Sequence, residues 1–122
     1  MPFINDEVFD QGLDYADTNG TRIDICSSEP ANYAGIAAVT LGNATVNTGA
    51  TQNGATDGRR VIVPAITTGT VTGTGTATHW ALSDGTSILV ATGPLSASQA
   101  VTSGNTFTLD AISITIRDAT AV

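Results

Sequence analysis

Between Thr70 and Leu82 the chain alternates so regularly that only an extended backbone accommodates it. Thr70, Thr72, Thr74, Thr76, Thr78, Trp80 and Leu82 fall on one side, and Val71, Gly73, Gly75, Ala77, His79 and Ala81 on the other. This is the period of two that sends successive side chains to opposite faces of a sheet. The second face is nearly flat, and a face of Gly and Ala lets another backbone approach closely, from a second sheet or from another subunit. Val71, Gly73, Gly75, Ala77 and His79 are therefore the expected oligomer interface. The run ends at Ser83-Asp84-Gly85, which fits a three-residue hairpin loop with Gly in the left-handed region. That register pairs Leu82 with Thr86, Trp80 with Ile88 and Thr78 with Val90, collecting Trp80, Leu82, Ile88 and Val90 on one face. Trp80 then belongs to the core, and His79 points the other way.

Other segments carry the same signature. TRIDICS alternates Ile23 and Ile25 against Arg22, Asp24 and Cys26 as a half-buried strand. RRVIVPAI is a strand that Pro64 confines to a sheet edge or a bulge. LSASQAV follows Gly93-Pro94, and TFTLDAISITIRD changes its apolar phase between Leu109 and Ile112, which predicts a β-bulge near Asp110-Ala111. With only 12% charged and 5% aromatic residues against 41% hydrophobic, the expected fold is all-β, an antiparallel β-sandwich or small barrel, jelly-roll-like, with an N-terminal arm or short helix. Residues 1–30 read as an acidic arm plus the first strand, 31–58 as an irregular Thr/Asn/Gly-rich region whose second half is a long exposed loop, and 59–122 as the β-sandwich body. Residues 31–122 together with 21–27 form one compact domain.

Charge is distributed unevenly. Lys is absent, four Arg face eleven carboxylates, and the net charge is −7. Seven of those carboxylates and one Arg lie within residues 1–30, so that segment holds −6 of the total. Binding nucleic acid requires clustered cations, so a nucleic-acid partner is excluded in expectation. Asn5 is placed to cap a short helix through about Tyr15, with Asp6 and Glu7 in its first turn. Phe3, Ile4, Asp6, Glu7, Phe9, Asp10 and Leu13 form the expected docking interface, with the acids steering encounter and the apolar residues anchoring it.

Catalytic chemistry is not legible. His79 is the sole His and has no neighbouring acid in sequence, so no Ser or Cys nucleophile has a second candidate base. Cys26 is the sole Cys, which excludes an intrachain disulfide and leaves a cysteine metal site without partners. Asp6/Asp10 and Asp14/Asp17 are paired carboxylates on an arm that would not hold a hydrolase geometry. Asp14, Asp17 and Asn19 lack the spacing of a calcium loop. The expectation is no enzyme, no cofactor and no metal. The N-terminus has no export signal and no stretch reaches membrane-spanning length, so a soluble chain without a membrane partner is expected.

Two blocks, VFDQGLDYADTNGTRIDICSSEPANYA and TGTATHWALSDGTSILVATGPLSASQAVTSGNTFTLDAISITI, resemble a family of small proteins encoded among the virion structural genes of tailed bacteriophages. The resemblance implies a virion structural component made in the bacterial host cytoplasm. A capsid decoration or cement protein is its leading form, homotrimeric by preference, with the major capsid protein among its partners. A collar, tail or baseplate component, or a carbohydrate- or receptor-binding fibre module, is the alternative.

Overall fold

The computed structural model describes residues 5–117. It is mostly β, with a curled antiparallel six-stranded sheet, a second three-stranded antiparallel sheet and two helices. The chain opens on α1 (Asp6–Asn19), where the Asn5 side chain accepts a hydrogen bond from the Glu7 N–H at 2.8 Å and Asp6 and Glu7 occupy the positive end of the helix dipole. Phe9, Leu13 and Ala16, spaced four and three apart, are buried. The helix ends at Gly20, whose N–H donates to the Ala16 carbonyl and where a Cβ would lie 2.5 Å from that oxygen and 2.8 Å from Leu82, so only glycine fits.

β1 (Arg22–Cys26) is central in the large sheet, and Ile23, Asp24, Ile25 and Cys26 are all fully buried. It is not half-buried as expected, because α2 (Tyr33–Val39) lies over its outer face, where Cys26, Ile36 and Ala81 form a small core with Tyr33, Val39 and Leu89 against it. The spacing of Tyr33, Ile36 and Val39 behind the capping Asn32 is helical, which corrects the irregular structure expected at the start of 31–58. β2 (Thr40–Thr45) pairs with β1, and its continuation is not a uniformly exposed loop. Val46 is buried, Thr48 nearly so, and the short β3 (Gln52–Asn53) pairs with β4 (Arg59–Val63). β4 is the middle strand of the small sheet, so Pro64 does not mark an edge. It lies between β4 and β5 (Ile66–Val71), where the chain passes from the small sheet to the large one.

The alternating run is two strands. β5 stops at Val71 and β6 (Gly75–Ser83) begins after a turn in which the N–H groups of Thr72 and Gly73 both donate to the Leu41 carbonyl, at 2.9 and 3.1 Å. Hence the expected flat face is not a single outward surface. Val71 and Ala77 sit in the main core, while Cβ atoms on Gly73 and Gly75 would approach the Leu41 side chain at 3.6 and 3.3 Å. Along β6 the core-facing phase also slips, from Ala77 to Trp80 and Leu82, opposite a break in pairing with β7 (Leu89–Val101).

The β6–β7 hairpin closes later than a three-residue loop would. Ser83 pairs with Leu89, Leu82 with Ala91 and Trp80 with Gly93. Asp84 organises this wider loop, its Oδ1 accepting from the N–H groups of Thr86, Ser87 and Ile88 at 2.9, 2.8 and 3.0 Å. Ile88 is consequently exposed, contrary to its expected place in the core, whereas Trp80 and Leu82 are core residues as expected. Gly93 faces the Trp80 indole so closely that a Cβ would lie 2.8 Å from the ring.

The phase change at Asp110-Ala111 is a sheet crossover and not a bulge. β8 (Thr106–Leu109) pairs with β5 in the large sheet, and β9 (Ile112–Ile116) pairs with β4 in the small one. The large sheet runs β7-β6-β1-β2-β5-β8 and the small one β3-β4-β9. Ile23, Ile25, Trp80, Leu82 and Phe107 of the first enclose the core with Val63 of the second, and Ile112 and Ile114 pack against it. Leu13 and Ala16 of α1 close one end, meeting Val61, Val90, Ile114 and Ile116.

Candidate functional site

The acidic segment is an integral part of this fold. Phe9 and Leu13 are 4% and 2% exposed, so they anchor α1 to the body and are not available to a partner. This corrects their expected docking role: once the helix pattern runs past Tyr15 to Ala16, the apolar stripe is wide enough to be a core face. Asp10 is also engaged, receiving Arg59 Nε at 2.8 Å and Nη2 at 3.2 Å. That bond raises the Arg59 pKa above its ordinary value. Asp6 and Glu7 are exposed, and Phe3 and Ile4 lie outside the described residues.

The outer face of α1 has a composition of its own. Val8 and Tyr15, seven residues apart and hence on one side of the helix, are 63% and 49% exposed. They are two of the three large apolar residues exposed among the described residues. Glu7 and Asp14, about a third of a turn away, flank them on one side and are exposed. Tyr15 combines a large apolar ring with a polar tip, which favours interfaces. An i, i+7 reading of α1 would have found this pair in the sequence.

His79 is not isolated in space. The pairing of Cys26 with His79 between β1 and β6 brings Glu29 near it, with Nε2 and Oε2 3.9 Å apart, too long for a hydrogen bond. On the other side Thr78 Oγ1 lies 2.9 Å from Nδ1 and 2.8 Å from the Ser27 carbonyl. A carbonyl only accepts, so the Thr78 hydroxyl donates to Ser27, and its oxygen accepts from Nδ1–H, a tautomer assigned from this network. A hydroxyl nucleophile must instead give its proton to the imidazole. The cluster ties β6 to the chain leaving β1 and does not activate Thr78.

Two other polar groups are equally committed. Asp24 is fully buried, bidentate to Arg22 at 3.0 and 3.2 Å and accepting from Thr40 Oγ1 at 2.7 Å. The Cys26 thiol is pushed up to about 12 by burial and, secondarily, by the charge of Asp24, which leaves it a thiol and a poor nucleophile at neutral pH. Among the described residues no group of three or more His, Cys, Asp or Glu side chains is arranged to hold a metal ion, and no helix is long and apolar enough to cross a membrane.

A slot of about 550 Å³ lies between residues 94–99 of β7 and the β8–β9 crossover. Trp80, Leu95, Leu109 and Ile112 contribute its apolar walls. The Gln99 side chain spans it, donating from Nε2 to the Thr108 carbonyl at 3.0 Å. Comparison of the chain with protein-family models, with curated proteins and with solved structures gave no match.

Proposed function

We propose that the protein is a non-enzymatic structural component of a tailed-bacteriophage virion, a capsid decoration or cement protein that binds the assembled shell as a homotrimer. The resemblance of its N- and C-terminal blocks supports the virion assignment. The observation that carries the binding role is the outer face of α1, where Val8 and Tyr15 are exposed and Glu7 and Asp14 flank them on one side. A rigid helix held at both ends of its buried stripe presents this face without ordering cost, and the acids select a basic groove on the shell. The Thr78 hydroxyl, which donates to the Ser27 carbonyl, and the buried Cys26 support a role without catalysis.

The test is binding to particles that lack the protein. Wild type is expected to co-sediment with them, with affinity falling as salt rises because the flanking acids contribute steering. Tyr15→Ala should weaken binding at least tenfold, as truncation of an aromatic anchor does. Undiminished binding of Tyr15→Ala, or no binding of the wild type, would contradict the proposal.

A further inference from the structure

The six-stranded sheet curls but does not close. Residues 102–105 alone join β7 to β8, a connection so short that consecutive strands ordinarily pair across it. Here the turn is bonded to β5 instead, with the Gly104 N–H donating to the Val71 carbonyl and the Val71 N–H to the Asn105 carbonyl, both at 3.0 Å. The two strands diverge from it, and among the described residues β7 pairs only with β6 and β8 only with β5. The slot lies between them. Residues 95–98 of β7 also lack partners in β6, because pairing jumps from Ala77–Gln99 to His79–Pro94. An open edge is a row of unpaired backbone donors and acceptors, which natural sheets cover or blunt with charge. Neither β7 nor β8 contains a charged side chain.

The slot already holds one amide. Gln99 Nε2 donates to the Thr108 carbonyl of β8 at 3.0 Å, the bond that the N–H of a strand lying between β7 and β8 would make. A side-chain carboxamide thus stands where a peptide group fits, and it reaches one open backbone position. We propose that the slot binds an extended segment of a partner protein, inserted as a strand between β7 and β8. Its alternate apolar side chains meet Leu95, Leu109 and Ile112, and a Lys or Arg lies beside Asp110. In this mode main-chain pairing supplies affinity, and the contacts of every second side chain supply specificity. The charge requirement follows from the lining, where Asp110 is the one charged residue among the described residues, exposed on a chain of net charge −7. A glycan fits less well, because Trp80, the aromatic residue of the slot, is only 9% exposed and offers no platform for a sugar ring. Such a site depends on the sheet edges alone and not on the virion reading.

Selection of a random peptide library on the immobilised full chain tests this, followed by titration and amide hydrogen exchange with the selected peptide. Selected peptides are expected to alternate apolar and polar residues around a Lys or Arg, and to protect the amides of residues 95–98 and 108–110 from exchange. Ala97→Arg, at an exposed slot residue outside the β6 pairing, should weaken the selected peptide about tenfold or more and leave the melting temperature within a few degrees of wild type. Asp110→Asn should weaken it by a smaller factor and make binding less sensitive to salt. No enrichment of alternating basic peptides, unchanged affinity in Ala97→Arg, or protection confined to other strands would each overturn the proposal. So would a self-associated wild type that Ala97→Arg breaks into single chains, which would give the slot to a second copy.

Discussion

Trp80 shows how much a single residue decides. Its indole fills the main core beside Ile25, its partner in β1, and rests on Gly93, its partner in β7. Trp80→Ala is expected to lower stability by about 3–5 kcal/mol through the cavity left behind, read as a fall in melting temperature. The Trp was legible as a core residue because it is the bulkiest side chain on an alternating face. Its glycine partner was not, since nothing local distinguishes Gly93 from an ordinary turn glycine. The same holds for Gly69, where a Cβ would lie 2.2 Å from the Phe107 ring. Asp84 acts through charge instead. Backbone N–H groups of Ile88, Ser87 and Thr86 hold its carboxyl below the usual range. A group depressed in the folded state stabilises above its unfolded pKa of about 3.9, and that contribution is lost as pH falls through the folded value. The melting-temperature gap between wild type and Asp84→Asn should therefore be constant from pH 8 to about pH 5 and close in more acidic solution.

At the scale of elements, α1 carries two faces with separate tasks. Leu13→Ala removes a side chain buried against Val61 and should cost about 2–5 kcal/mol in thermal or urea unfolding, whereas Tyr15→Ala, on the outer face, should leave stability nearly unchanged. Equal losses in the two would mean that the outer face is structural as well. The helix start was legible from Asn5, Asp6 and Glu7, and the strands from alternation. What pattern alone did not separate was one long strand from two. Thr70 to Leu82 keeps its period through a turn because the turn is fixed by the Leu41 carbonyl, which is distant in sequence. Likewise the phase change after Leu109 signals a break without saying whether the chain bulges within a sheet or leaves for another. That choice is set by which strand, β5 or β4, each half pairs with. The burial of Asp24 was hidden for the same reason, since its cover is α2 and its counter-ion and hydroxyl partners, Arg22 and Thr40, meet it only in the folded sheet.

For the whole molecule, the two sheets, the helix plug and the committed polar clusters give a stiff body with distinct surfaces. Two of these are the acidic outer face of α1, proposed above to meet a basic partner, and the slot between the sheet edges. Neither surface was complete in the sequence: the docking residues expected there mixed core anchors, Phe9 and Leu13, with true surface groups, and the slot exists only because the curled sheet brings its first and last strands together in space. The central proposal is that the outer face of α1 serves attachment to the outside of a shell that assembles without this protein. Electron microscopy of virions produced with the gene deleted tests it most directly. The account predicts complete heads and tails whose shells lack a regular set of surface protrusions and rupture at lower temperature than wild type, whereas particles missing tails, collars or fibres, or particles indistinguishable from wild type, would contradict it.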